Sequence, residues 1–209
     1  MTNIDSVILD VTDADAAARF YRTAFDLDGL VVPRVSDAPS TGFRGFTLAL
    51  TVAQPSTVDS LVATAVEAGA TTIKPAAKSL WGYGAVVQAP DGTLWKVATS
   101  AKKDTGPATR RVDDVVLLLG VADVAASKRF YLDQGFTAAK SFGRMYVEFA
   151  TAPGSITLAL YRRRALAKTA GVSPEGTGSH RIAIVGDAGA FTDPDGFAWL
   201  TAASARPAA

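Results

Sequence analysis

Ala14-Asp15-Ala16-Ala17-Ala18-Arg19-Phe20-Tyr21 has the spacing of a helix opening, and a diverged copy stands later as Ala122-Asp123-Val124-Ala125-Ala126-Ser127-Lys128-Arg129-Phe130-Tyr131. A second segment, Ala89-Pro90-Asp91-Gly92-Thr93-Leu94-Trp95, returns as Thr192-Asp193-Pro194-Asp195-Gly196-Phe197-Ala198-Trp199. The pairs keep their order. Phe130 follows Phe20 by 110 positions, and Pro194 follows Pro90 by 104. Two matches in register, each followed by a similar apolar pattern, indicate one α+β unit present twice.

The boundary falls in Ser100–Arg111, a polar stretch with Gly106-Pro107 and no apolar period,. It divides the chain into a half over 1–101, a linker over 102–111 and a half over 112–204. In the first half, Val7, Leu9 and Val11 alternate with Ser6, Ile8 and Asp10, which is strand periodicity,. Asp13 then caps a helix with Ala17, Phe20, Tyr21 and Ala24 on one face. Phe46, Leu48, Leu50 and Val52 give another strand, and Ser56 is the expected cap of a helix that Gly69 ends. Short strands follow over Thr71–Lys74, Gly84–Gln88 and Thr93–Thr99, with Pro90-Asp91-Gly92 as a hairpin turn.

The second half repeats this opening: a strand from Asp114, a helix from Asp123, and Gly135 as its stop. Strands are expected near Thr137–Ser141, Tyr146–Ala150, Ile156–Tyr161 and His180–Val185. Only Gly186-Asp187-Ala188-Gly189-Ala190 then precedes the final hairpin, so the matching helix is missing here. The first half, conversely, lacks the full set of three strands after its first helix. Each copy is trimmed at a different place.

Composition narrows the function classes. The 209 residues are 48% hydrophobic and 20% charged, an ordinary globular balance,. A net charge of +1 gives no field to recruit nucleic acid or an anionic membrane,. Arg162-Arg163-Arg164 reads as a solvated loop. With no cysteine, disulfides, thiolate metal sites and cysteine nucleophiles are excluded together,. The start shows no signal-peptide pattern, and no apolar run reaches the roughly 18 residues of a membrane span. A cytoplasmic location follows by default.

A strand, an Asp-opened helix carrying Phe-Tyr, and a closing Asp-Gly hairpin, all found twice, resemble the glyoxalase/bleomycin-resistance group of the vicinal oxygen chelate superfamily. The carrying residues are Asp13, Phe20, Tyr21 and Pro90-Asp91-Gly92, then Asp123, Ser127, Phe130, Tyr131 and Asp193-Pro194-Asp195-Gly196. The resemblance implies tandem βαβββ-type halves whose curved mixed or antiparallel sheets form open cups backed by helices. In family enzymes, the cup holds a divalent metal on His and Glu side chains, and the metal polarises vicinal oxygens of the substrate. Bleomycin-resistance proteins share the fold and only sequester a drug.

The resemblance also says where the metal ligands should stand. The first lies on the opening strand, seven residues before the Asp that starts the helix. Here that is Ser6, and in the second half Val116, or Asp114 across a bulge. The closing ligand falls on Lys96 and Leu200. A lysine ammonium has no lone pair for a metal, and Leu200 has no donor. The lone histidine, His180, cannot assemble three or four ligands by itself,. No metal and no other cofactor is therefore expected.

Other chemistry is sparse. Gly82-Tyr83-Gly84 lacks the third glycine of a dinucleotide loop. Ser179 and His180, adjacent in an expected strand, face opposite sides. On the closing strand Lys96 shares a face with Leu94 and Ala98, and Trp95 lies opposite with Thr93 and Val97. The candidate ligand-binding residues are thus Lys96, with Asp10 as its partner in the free protein, and Ser6, Trp81, Tyr83 and His180. The expected function is metal-free binding of a small molecule, such as drug or metabolite sequestration. The rival is a glyoxalase-like lyase, isomerase or dioxygenase with a rearranged metal site near His180. The sequence leaves open whether the halves pair with each other or across a homodimer.

Overall fold

The computed structural model describes residues 2–80 and 82–205. In chain order the first half holds β1 (Ile4–Val11), α1 (Ala14–Phe25), β2 (Val31–Val35), β3 (Ser40–Gly42), β4 (Phe46–Thr51), α2 (Pro55–Glu67), β5 (Thr71–Ser79), β6 (Gly82–Gln88) and β7 (Leu94–Thr99). The second holds β8 (Asp114–Val121), α3 (Val124–Asp133), β9 (Ala138–Phe142), β10 (Tyr146–Phe149), β11 (Thr157–Arg162), α4 (Arg163–Ala170), β12 (Gly176–Gly178), β13 (Ile182–Gly186), β14 (Phe191–Thr192) and β15 (Ala198–Leu200). No helix among the described residues is long and apolar enough to cross a membrane.

Local chemistry sets the helix ends. Asp13 accepts a hydrogen bond from the Ala16 amide at 2.9 Å, and Asp123 accepts from Ala125 and Ala126. These satisfy amides that the first turn leaves unpaired. Ser56 does not cap α2. Gln54 is the capping residue and Pro55 occupies the first turn, where its missing N–H loses nothing,. The Gln54 side chain instead binds the segment after β7: it accepts from the Thr105 and Gly106 amides and donates to the Gly106 and Pro107 carbonyls. The stretch 102–111 carries no helix or strand but is pinned onto α2.

The strands form an eight-stranded sheet ordered β5-β6-β7-β4-β8-β11-β10-β9 and a five-stranded sheet ordered β14-β15-β13-β1-β2; β3 and β12 make a short ribbon. Each large sheet draws on both halves. In the eight-stranded sheet the seam is β4 against β8, antiparallel from Phe46 opposite Leu119 to Thr51 opposite Asp114. In the other it is β1 against β13. The run β4-α2-β5-β6-β7 faces the run β8-α3-β9-β10-β11, and both are complete βαβββ units.

The five-stranded sheet is built from shortened runs. β2 lies parallel beside β1 as β11 lies parallel beside β8, but no hairpin stands between α1 and β2. β15 lies parallel beside β13 as β7 lies beside β4, but no helix follows β13. The two trims that the sequence indicates are thus in one sheet.

One core joins the helix-facing sides of both sheets, with Leu48, Leu50, Leu117, Leu119, Trp95, Tyr21, Tyr131 and Trp199 among its members. Burying a Leu or Val side chain contributes about 1.5–3 kcal/mol, so this shared core ties the halves together. Arg162-Arg163-Arg164 is not a solvated loop: it ends β11 and opens α4. Arg163 donates to the Phe43 carbonyl at 2.6 Å and the Pro174 carbonyl at 3.1 Å. The signal for α4 is the buried set Leu166, Ala167 and Ala170, which shares a helical face,.

Candidate functional site

Strand alternation gives each sheet a helix-covered face and an open one. In the eight-stranded sheet, the register sets Val86, Lys96, Ala49 and Val116 side by side across four strands. A neighbouring row runs Thr47, Leu118, Ala159, Glu148 and Lys140. These rows lie on the concave face, opposite buried Trp95, which meets Tyr21 and Phe25 under the helices.

Helix α4 lies inside this cup against β4, β8 and β11. Gly120 permits the approach. A Cβ there would stand 2.8 Å from the Gly45 carbonyl oxygen and 3.1 Å from the Arg163 Cα. At the other end of α4, Lys74 Nζ donates to the carbonyls of Lys168 at 3.1 Å and Thr169 at 2.9 Å. A cation there satisfies last-turn carbonyls and complements the helix dipole.

Two cavities flank the end of α4. The inner one, about 220 Å³, is lined by Thr47, Leu118, Tyr146, Tyr161, Leu166 and Lys96 among others. The outer groove, about 630 Å³, carries four lysines: Lys74, Lys78, Lys96 and Lys168. Lys96, Val86 and Thr169 line both. Lys96 therefore stands where an apolar, tyrosine-bearing chamber meets a cationic groove. Burial, and after it the charge of Lys74, hold the Lys96 ammonium below the usual lysine range,. Among the described residues it has no hydrogen-bond or ion-pair partner.

The expected partner of Lys96 is engaged elsewhere. Asp10 lies in the five-stranded sheet and pairs with Arg34 at 2.7 Å. Ser6 lies in that sheet too, in a row with Val185 and Leu200. Ser6 and Lys96 are not in one cup. The opening-strand residue that does share the cup with Lys96 is Thr47, seven before Gln54, and that count was available from the Gln54-Pro55 helix start.

Tyr83 edges the outer groove, but its hydroxyl donates to Asp59 on α2 at 2.8 Å, which points the ring to the helix side. Trp81 lies outside the described residues. His180 precedes β13 rather than lying in it. Its ring stacks on Phe197 with centroids 4.0 Å apart. Nδ1 meets the Arg44 carbonyl at 2.5 Å and Nε2 the Asp195 carbonyl at 3.1 Å. Both nitrogens thus face backbone carbonyls, one in the turn before β4 and one in the last hairpin.

Comparison with solved structures identifies the architecture. Glyoxalase I from Zea mays superposes with a TM-score of 0.63 at 14% identity, over 96% of this chain and 92% of that one. The fold is that of the vicinal oxygen chelate proteins. A putative dioxygenase from Bacillus subtilis shares it with a TM-score of 0.53 at 11% identity, over 92% of this chain and 71% of the other. No family model matches the sequence, and no curated protein matches it.

The resemblance to the family's enzymes implies a divalent metal on the concave face, and the donors here do not fit one. The central row offers Lys96, Ala49 and Val116, one amine and two aliphatic side chains. Glu148, one row away, is held by Lys140 at 2.7 Å and by the Tyr146 hydroxyl at 2.7 Å. Among the described residues, no three His, Cys, Asp or Glu side chains converge as a metal site requires,.

Proposed function

We propose that this chain binds a small anionic or carbonyl-rich molecule in the cup of its eight-stranded sheet without a metal, as a sequestering protein does. The observation that carries the reading is the unpartnered Lys96 amine between the inner chamber and the lysine groove. A charged group in partly apolar surroundings without a partner is costly, so a site that keeps one is suited to a ligand that supplies the partner. The lining fits an amphipathic compound with a ring against Leu118, Leu166 and the tyrosines and a carboxylate or enolate at Lys96. We also read residues 1–101 and 112–204 as two copies of one ancestral half, joined by 102–111.

A thermal-shift screen of aromatic carboxylates, keto acids and dicarbonyls tests this. At 100 times its dissociation constant, a specific ligand stabilises the fold by about 2.7 kcal/mol. Lys96→Met should fold with equal or greater stability, because it removes an unpaired half-buried charge, and should lose the ligand-induced shift. A hit that shifts the Met variant by the same amount places the ligand elsewhere and ends this reading.

A further inference from the structure

Two amines stand close in the cup, and the fold treats them differently. Lys74 Nζ lies against two carbonyl oxygens at 2.9 and 3.1 Å, both in the last turn of α4. Each accepts a hydrogen bond, and the helix terminus favours positive charge, so the Lys74 side chain is anchored at the end of α4,. Among the described residues Lys96 has no acceptor, and it is flanked by Val86, Ala49 and Leu118. When neighbouring amines repel, the one without acceptors yields its proton first. A lysine desolvated beside a fixed cation is the arrangement that makes an amine nucleophilic near neutral pH.

We propose that Lys96 captures an aldehyde or ketone ligand covalently, as an imine, at the junction of the two cavities. This rests on the reading of the cup as the ligand site. The Lys96 nitrogen lone pair bonds to the carbonyl carbon, and the C=O π pair moves to oxygen, which takes up the proton shed by nitrogen. The carbinolamine then loses its hydroxyl and the second nitrogen proton as one water, leaving C=N. No oxidant, reductant or metal is consumed. The groove lysines favour a carbonyl compound that also carries a carboxylate, and the inner chamber favours an aromatic or branched body.

The test uses the full chain and two probes of similar shape. 4-Carboxybenzaldehyde carries the aldehyde; terephthalate replaces it with a second carboxylate. After incubation of the aldehyde at pH 7 and reduction with cyanoborohydride, peptide mass spectrometry maps the modified lysines. Lys96 should carry at least ten times more adduct than any other lysine. Lys96→Arg should melt like the wild type and carry no adduct above the surface background. Lys74→Met should move the pH midpoint of trapping upward, because the fixed charge is gone; Lys74→Arg should keep it low. Modification spread evenly over the lysines overturns the imine, and so does an unshifted midpoint in folded Lys74→Met. Terephthalate binding, read by calorimetry, separates the two ideas. If it binds the wild type while Lys96 is not preferentially trapped, anion binding stands and covalent capture falls. If Lys96 is trapped and terephthalate does not bind, capture stands and the anion reading falls.

Discussion

Asp193→Ala should cost the fold about 3 kcal/mol or more, measured by urea unfolding. The residue is only 4% exposed. One carboxylate oxygen accepts the Tyr131 hydroxyl at 2.5 Å, and the other accepts the amides of Asp195 at 3.0 Å and Phe197 at 2.8 Å. The same phenol accepts from Trp199 Nε1 at 3.2 Å. Truncation leaves a buried hydroxyl and two turn amides without acceptors, and each such group costs about 1–3 kcal/mol. Burial pushes the Asp193 carboxyl upward, so the charge is itself expensive and its hydrogen bonds offset that cost. Asp91 holds the equivalent turn in the first half, accepting the Tyr21 hydroxyl and the Thr93 amide at 2.8 Å. A loss below about 1 kcal/mol in Asp193→Ala would show that the turn closes without this network.

Alkaline pH should destabilise the protein through its two buried phenols. Tyr21 and Tyr131 are held well above the usual tyrosine range, first by burial and then by the charges of Asp91 and Asp193. A raised folded-state value means that the native chain keeps these protons where the unfolded chain releases them. Their contribution is complete below the unfolded value near 10 and falls as pH rises beyond it, approaching about 1.4 kcal/mol per pH unit for each phenol. Together they should remove about 2–3 kcal/mol over the first pH unit of full titration. Lys96 acts in the opposite sense: its lowered value makes stability rise with pH up to the ordinary lysine range. Urea unfolding between pH 9 and 11.5 in a Lys96→Met background removes the opposing lysine, and what remains is the decline from Tyr21 and Tyr131 together with the raised Tyr83, Tyr146 and Lys140. The added Tyr21→Phe and Tyr131→Phe changes should flatten the decline, and an equal slope in that variant refutes the assignment.

These buried networks stand where the sequence motif repeats, which is why the helix starts and hairpins could be read from the chain. Asp13 and Asp123 cap their helices by short-range chemistry, and Gly92 and Gly196 take the left-handed backbone their turns need, with φ of 88° and 91°,. Alternation likewise puts Lys96 and Trp95 on opposite faces. What alternation cannot specify is the partner strand. Each half on its own suggests a complete cup, which puts Lys96 together with Ser6 and Asp10. The actual neighbour of β7 is β4, so the cup around Lys96 is completed by Thr47 and by strands of the second half. The three arginines at its start mask α4 in the sequence, although Leu166, Ala167 and Ala170 carry a buried helical face. The cup's inner chamber could not be inferred without that helix.

The function proposed for the cup is to hold an anionic small molecule at Lys96 with no metal. Calorimetric titration of terephthalate into chelator-treated protein tests it most directly, with Lys96→Met run beside the wild type. One site per chain is expected, undiminished by the chelator and weakened at least tenfold in Lys96→Met, a loss of about 1.4 kcal/mol. Binding that appears only after a divalent metal is added back, or that is equal in the two proteins, would contradict it.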